Sequence, residues 1–264
     1  MYEFSYHRPK TLADAAQALS AATDGKLVAG GMTLIPTMKQ RLASPSDLID
    51  LGQIPELRGI KIAADTVTIG AMTTHGTVSA STDVQKAIPA LAKLADSIGD
   101  PQVRNRGTIG GSLANADPAA DYPAAVLALN ASIKTDRRDL SADHFFKGLF
   151  ETALEEGEII TSISFPVPEK AGYAKFPNPA SRYAMVGVFV AQTKDGIRVA
   201  VTGAGPSAFR LKSMEEALSK SFTPEAVAAI AVPTNGLNSD IHGSAAYRAH
   251  LVTVMAKRAV AACP

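Results

Sequence analysis

One cysteine is all this 264-residue chain holds: Cys263, beside its last residue. The chain by itself therefore cannot form an intramolecular disulfide or hold a cysteine-ligated iron–sulfur cluster. Its five histidines, His7, His75, His144, His242 and His250, include no pair at a metal-ligand spacing. An excess of one charge is missing too. The 26 basic residues stand against 25 acidic ones, a formal net charge of +1. That balance implies no broad polyanion-binding face and makes nucleic acid a poor first expectation, while leaving room for a local basic patch. No stretch approaches the length of a membrane span, and the opening MYEFSYHRPKTLADAAQAL lacks the apolar core of a signal peptide. The default expectation is a cytoplasmic protein with length enough for one large domain or two modest ones.

Against these absences stands a clear alternation of helical and extended patterns. LADAAQALS (12–20) repeats small apolar residues at helical spacing, with Thr11 placed to cap it. KLVAGG (26–31) reads as a short buried strand that stops at a glycine pair, and SDLIDLG (46–52) as another strand. RGIKIAADTVTIGA (58–71) reads as a β-hairpin. DVQKAIPALAKLADSIG (83–99) carries Ile88, Leu91, Leu94 and Ile98 on one helical face, with Pro89 bending or beginning the helix. DYPAAVLALN (121–130) is predicted helical and ASIKT (131–135) extended. Pro166, Pro168, Pro177 and Pro179 then mark a domain junction, placed near 166–172. Beyond it, MVGVFVAQTKDGIRVAVTGAG (185–205) reads as two apolar strands around a KDG turn. SMEEALSK (213–220) and AAYRAHLVTVMAKRAVAA (245–262) read as helices, the last with a stripe of Tyr247, Leu251, Val254, Met255 and Ala259. The sum is an α+β chain.

Two Gly-Gly loops carry the chemistry. The first is VAGGMTLIP (28–36), after a buried strand; the second is GTIGGSLAN (107–115), expected after a helix and an extended segment. Adjacent glycines permit positive φ and let backbone N–H groups turn into one concavity, which suits a phosphate. Hydroxyls at Thr33, Thr108 and Ser112 add donors. Two such loops meeting in space would suit a pyrophosphate, and hence a dinucleotide. Neither loop fits the G-x-G-x-x-G fingerprint or a P-loop. Tight turns against packed backbone remain an equal reading at this level.

Longer motifs extend the argument. They are YHRPKTLADAAQAL, AGGMTLIPTMKQRL, IGAMTTH, GDPQVRNRGTIGGSLANADPAADYPA, FFKGLFETALEEGEII, YAKFPNPASRYAMVGV and HGSAAYRAHL. Across essentially its whole length the chain resembles the medium, FAD-binding subunit of the molybdenum hydroxylases, and most of all the carbon monoxide dehydrogenase-like branch; xanthine dehydrogenase belongs to the same family. The resemblance implies the FAD-binding fold of the vanillyl-alcohol oxidase and p-cresol methylhydroxylase type, with two α+β subdomains, plus a smaller C-terminal α/β domain. It implies an FAD-binding domain over 1–168, with subdomains of about 1–55 and 56–168, and a C-terminal domain over 169–264. It also implies site residues. Ala29, Gly30, Gly31, Met32, Thr33 and Leu34 match the segment that wraps the pyrophosphate. Thr108, Ile109, Gly110, Gly111 and Ser112 match the second loop, with Ala114 on the adenine side. Asp121 matches an acid that hydrogen-bonds the cofactor. Val103, Lys175 and Tyr183 match positions near the isoalloxazine ring. Many relatives read Gly-Gly-His-Ser in the first loop; here Met32 replaces the histidine and Thr33 keeps the hydroxyl.

The function implied is electron transfer by an oxidoreductase subunit that holds FAD non-covalently. It implies a small partner with two [2Fe–2S] clusters, a large partner with a molybdenum–pterin cofactor, and an external electron acceptor. Relatives form dimers of heterotrimers. No catalytic base, nucleophile or metal ligand is expected on this chain. Two rival readings are a stand-alone flavin oxidase of the same fold and a flavin-free assembly subunit. At the level of single residues, Arg104 and Arg106 read as solvated loop arginines and His75 as a structural histidine.

Overall fold

The computed structural model describes residues 1–264, arranged on three main sheets. The first is parallel, with β1 (Ser5–His7), β2 (Gly25–Val28) and β3 (Asp47–Asp50) in the order β1-β3-β2. The helix Leu12–Ala21 makes the crossover from β1 to β2. Thr11 caps it, its Oγ1 accepting from the Asp14 N–H at 3.1 Å. Ala15 sinks into a small core with Ile49, Leu51, Ile54 and Leu57.

The second sheet holds β4 (Ile60–Ala63), β5 (Thr66–Gly70), β6 (Ser132–Thr135) and β7 (Asp139–Ser141). After the small hairpin of β8 (Phe146–Gly148) and β9 (Glu151–Thr152), it gains β10 (Ile160–Pro166). The order is β4-β5-β10-β6-β7, antiparallel throughout. Six helices separate β5 from β6. They pack on this sheet in the largest core, where Leu91, Leu94, Tyr122 and Val126 meet Ile69, Ile133 and Ile163.

Two local outcomes differ from the sequence patterns. The helix expected over 83–99 is two helices, Thr82–Ala87 and Pro89–Asp96. Pro89 lacks an N–H and drives Ile88 out of the helical region, to φ −140°, so the proline begins a new helix. Ile98 lies beyond the end of that helix. The extended segment expected before the second glycine loop is also helical, over Pro101–Arg106. Asp100 caps it by accepting from the Val103 N–H at 2.8 Å, with Pro101 at the first helical position. PQVRNR has a single aliphatic side chain, so no helical periodicity announced it.

Between Pro166 and Lys170 the chain leaves the second sheet for the third. This is an antiparallel meander of β11 (Lys170–Pro177), β12 (Ala184–Thr193), β13 (Gly196–Thr202) and β14 (Phe209–Arg210). Alternation along β12 serves two cores. Val186, Val188 and Val190 face the helix Ala245–Ala261 through Leu251, Met255 and Ala259, while Phe189 and Ala191 join the core of the second sheet. The stripe foreseen on the last helix is therefore real for Leu251, Met255 and Ala259. Tyr247 is exposed and Val254 only half-buried.

Candidate functional site

A cavity of about 520 Å³ opens between the first sheet, the helices after β5 and the turn that joins β11 to β12. The first glycine loop supplies one wall. Gly31 sits at φ +72°, a left-handed conformation that L side chains adopt only at a cost. That turn leads into the helix Leu34–Lys39. The backbone N–H groups of Ala29, Gly30, Gly31, Met32, Thr33 and Leu34 donate to no acceptor in the chain, and all six residues line the cavity. Buried or lining donors of this kind need a partner. Six in succession at the start of a helix are the kind of donor set that suits an anion. Thr33 makes no side-chain capping bond.

The second loop meets the first, but its role differs from the expected second nest. Gly107 and Thr108 lead into the helix Ile109–Asn115, so Gly110 and Gly111 are helical rather than left-handed. The Ile109 N–H donates to the Thr73 carbonyl at 3.1 Å and the Gly110 N–H to the Ala71 carbonyl at 2.9 Å. The Gly111 N–H is taken by Thr108 Oγ1 at 3.2 Å, and the Ser112 N–H by the Thr108 carbonyl. These glycines serve close approach. A Cβ on Gly30 would lie 2.2 Å from the Arg106 carbonyl oxygen, and one on Gly110 would lie 2.5 Å from Ala71 Cβ. Bare backbone in both loops lets them pack into one surface. Thr108, Gly110, Gly111, Ser112 and Ala114 line the cavity; Ile109 does not, its side chain being fully buried in the core.

The remaining predicted positions separate into two groups. Val103, Asp121 and Tyr183 line the same cavity. Lys175 stands behind it. Its Nζ donates to Asp121 Oδ1 at 2.9 Å, to Oδ2 at 3.1 Å and to the Ser97 carbonyl at 2.9 Å. Tyr173 adds a hydroxyl bond to the same carboxylate. Burial pushes the Asp121 carboxyl above its ordinary range, against the pull of Lys175 and Tyr173. Lys175 thus reaches the cavity through Asp121 and not directly. Tyr183, half-exposed, is carried on a turn that Asn178 organises: its Oδ1 accepts from the Ala180 and Ser181 N–H groups at 2.9 and 3.2 Å. Arg182, in that turn at φ +62°, donates to the Gly99 carbonyl at 3.2 Å and so ties the turn to the opposite rim.

Several lining residues were not singled out from the sequence. Asp117 faces the cavity with one internal bond, from the Ala119 N–H at 2.9 Å; burial raises its carboxyl. The run NADPAAD that contains Asp121 also contains Asp117, so the signal was present. Glu158 is another. It is held by Arg138, Thr135 and the Glu155 N–H, and the hydrogen bond from Arg138 leads the causes that lower its carboxyl to about 2. It lines the far wall together with Ile159 and Ile160, the Ile159 N–H donating to Asp136 Oδ1 at 2.8 Å. No local pattern could mark it. His75, read as structural, lines the cavity while 5% exposed, and its Nδ1 has no partner. Burial first, then the charge of Arg104, lowers it to about 4, so it is neutral at pH 7. Arg104 is not a solvated loop residue: it donates to the Ile98 and Gly99 carbonyls, both at 3.2 Å. Arg106 is exposed, as expected.

Comparison with known proteins follows the same division of the chain. Residues 2–168 match the family described as the FAD-binding domain in molybdopterin dehydrogenase. Residues 171–263 match the C-terminal domain of the CO dehydrogenase flavoprotein. The chain is 40% identical to the carbon monoxide dehydrogenase medium chain of Hydrogenophaga pseudoflava, over 97% of this chain and 96% of that one. It is 39% identical to the nicotine 6-hydroxylase medium subunit of Paenarthrobacter nicotinovorans, over 97% and 95%. Among solved structures, it superimposes on carbon monoxide dehydrogenase from Hydrogenophaga pseudoflava with a TM-score of 0.89, covering 99% of this chain and 97% of that chain at 40% identity. Quinoline 2-oxidoreductase from Pseudomonas putida 86 gives a TM-score of 0.90 at 32% identity, covering 98% and 96%.

Proposed function

The chain belongs to the family of FAD-binding medium subunits of molybdenum hydroxylases, and on that premise we propose that it relays electrons within a heterotrimer. In this reading a small partner with [2Fe–2S] clusters delivers the electrons, a large partner with a molybdenum–pterin cofactor oxidises the substrate, and an external acceptor receives the electrons here. The relatives named medium chain or medium subunit support the existence of smaller and larger partners. The single cysteine supports clusters housed on another chain. The domain division follows as 1–168 for FAD and 169–264 for the C-terminal part.

The observation that carries the reading is the run of six unsatisfied N–H groups, Ala29 to Leu34, on the wall of a 520 Å³ cavity. That donor set fits a pyrophosphate. Bound FAD would supply electron exchange in steps of one or two. The chain's own work is binding, orientation and shielding. The first loop would grip the pyrophosphate; Thr108, Gly110, Gly111, Ser112 and Ala114 would form the surface beside it, with Ile109 behind. Asp121, fixed by Lys175 and Tyr173, would present one carboxylate to the cofactor. Val103 and Tyr183 would flank the ring and exclude water. Neutral His75 can donate or accept a single hydrogen bond at the cavity wall.

A visible spectrum of the purified chain, with release and identification of any yellow cofactor, tests the binding claim. FAD is expected. A colourless chain that gains neither a flavin spectrum nor thermal stability on adding FAD overturns it. Co-purification with cluster-bearing and molybdenum-bearing subunits tests the assembly, and its absence from cells expressing all three counts against the heterotrimer.

A further inference from the structure

A second cavity of about 470 Å³ lies beside the first. Lys93, Ser97, Tyr173, Lys175, Asn178 and Arg182 line it, with Pro177 at the end of β11 and Pro179 in the turn that follows. Three of these side chains are cationic and none is a carboxylate. Asp121 lines the first cavity and Lys175 the second, so their ion pair is the partition between them. Asp121 offsets the charge of Lys175. Lys93 and Arg182 have no such partner; neither is ion-paired anywhere in the chain. Two like charges without an ion-pair partner thus line one cavity, Arg182 standing where it also borders the first.

We propose that this second cavity is a binding site for a phosphate-type oxyanion, held by Lys93 and Arg182 with Lys175 at its inner wall. The two unpaired charges match the charge of about −1.5 to −2 that a phosphate monoester carries near pH 7. A guanidinium beside an ammonium is a suitable donor pair for phosphate oxygens. The cavity has room for more than a bare phosphate, so the group is either free or carried on a small ester. Its occupant shares Lys175 with Asp121 and so draws on the same cation that fixes a wall of the cofactor cavity. The proposal stands on the second cavity alone and does not require FAD in the first.

The test is thermal unfolding of the chain as purified, titrated with inorganic phosphate at ionic strength held constant with chloride. A parallel titration uses glycerol 3-phosphate. Saturable stabilisation of about 3 °C at tenfold excess over the dissociation constant is expected. Lys93 lines only this cavity and is exposed, so Lys93→Gln should fold normally and bind about tenfold more weakly. Lys93→Arg should restore binding. Tighter binding of the ester than of free phosphate identifies a carried phosphate; equal binding identifies the free ion. No saturable stabilisation by either probe, or stabilisation that Lys93→Gln leaves unchanged, overturns the proposal, the latter by assigning the anion to the first glycine loop.

Discussion

Lys175 on β11 and Asp121 at the head of the helix Tyr122–Ala128 form a two-point ion pair, with side chains 7% and 4% exposed. Sequence places them fifty-four residues apart. The pair clamps the third sheet to the wall of the first cavity, and each charge depends on the other for its burial. Removing one partner should cost far more than removing both. Lys175→Met is expected to lower the unfolding free energy by about 3–5 kcal/mol. The double variant Lys175→Met with Asp121→Asn should recover a large part of that loss. Urea unfolding of the double variant and of both single variants measures the coupling, and a double-variant loss equal to the sum of the two single losses would show that the pair is not coupled.

Gly30→Ala would force a Cβ to within 2.2 Å of the Arg106 carbonyl oxygen. Backbone, unlike a flexible side-chain tip, cannot step aside, so the two loops must separate. The expected result is a loss of about 1–3 kcal/mol in stability and at least a roughly tenfold fall in FAD affinity. Fluorescence titration with FAD reads the second effect. Unchanged affinity would mean that the contact between the loops does not shape the site.

Tyr183→Ala should leave the fold intact, because the side chain is 44% exposed and the turn beneath it is held by Asn178 and Arg182. Its loss opens the mouth of the cavity. Faster cofactor dissociation is expected, with an unfolding midpoint in the apoprotein within about 2 °C of the parent. A rate equal to that of the parent would remove Tyr183 from the shielding role.

Glu158 gives the molecule an acid limit. Its carboxyl falls from an ordinary 4.5 to about 2, first through its hydrogen bond with Arg138. A depressed carboxylate stabilises the fold fully above pH 4.5, and that contribution fades as pH falls through about 2. Screening by solvent at the exposed Arg138 limits its size to about 1–2 kcal/mol. Glu158→Gln should be less stable at pH 7 and should show a flatter stability profile between those two pH values. An unchanged slope would locate the acid transition elsewhere.

His75 acts at higher pH and in the same direction. Its ordinary value of 6.5 falls to about 4, mainly through burial. Above pH 6.5 it is neutral in both states and has no effect on the slope. As pH falls from 6.5 towards 4 the unfolded chain takes up a proton that the folded chain refuses, and stability drops. The drop reaches about 3 kcal/mol. His75→Gln should remove this part of the pH dependence, measured by urea unfolding from pH 7 to pH 4. Identical profiles in the two proteins would refute a neutral, buried His75.

Much of this protein was legible along the chain. The Thr11 cap, the 58–71 hairpin and the two strands around KDG are local, set by hydroxyl capping, alternation and turn chemistry within a few residues. The two Gly-Gly loops were visible for the same reason, and the resemblance carried by GTIGGSLANADPAADYPA pointed to FAD. What the chain alone could not supply was which backbone groups remain free. In the first loop all six N–H groups stay open, while in the second those of Ile109 and Gly110 are consumed by Thr73 and Ala71, more than thirty residues earlier. The turn of Lys175 away from the cavity, the wall built by Glu158 and Ile160, and the second basic cavity have the same origin. Each depends on which distant segment arrives to satisfy a donor, cancel a charge or fill a space. Only the packed chain decides that, because local pattern records what a residue can offer and not what comes to meet it.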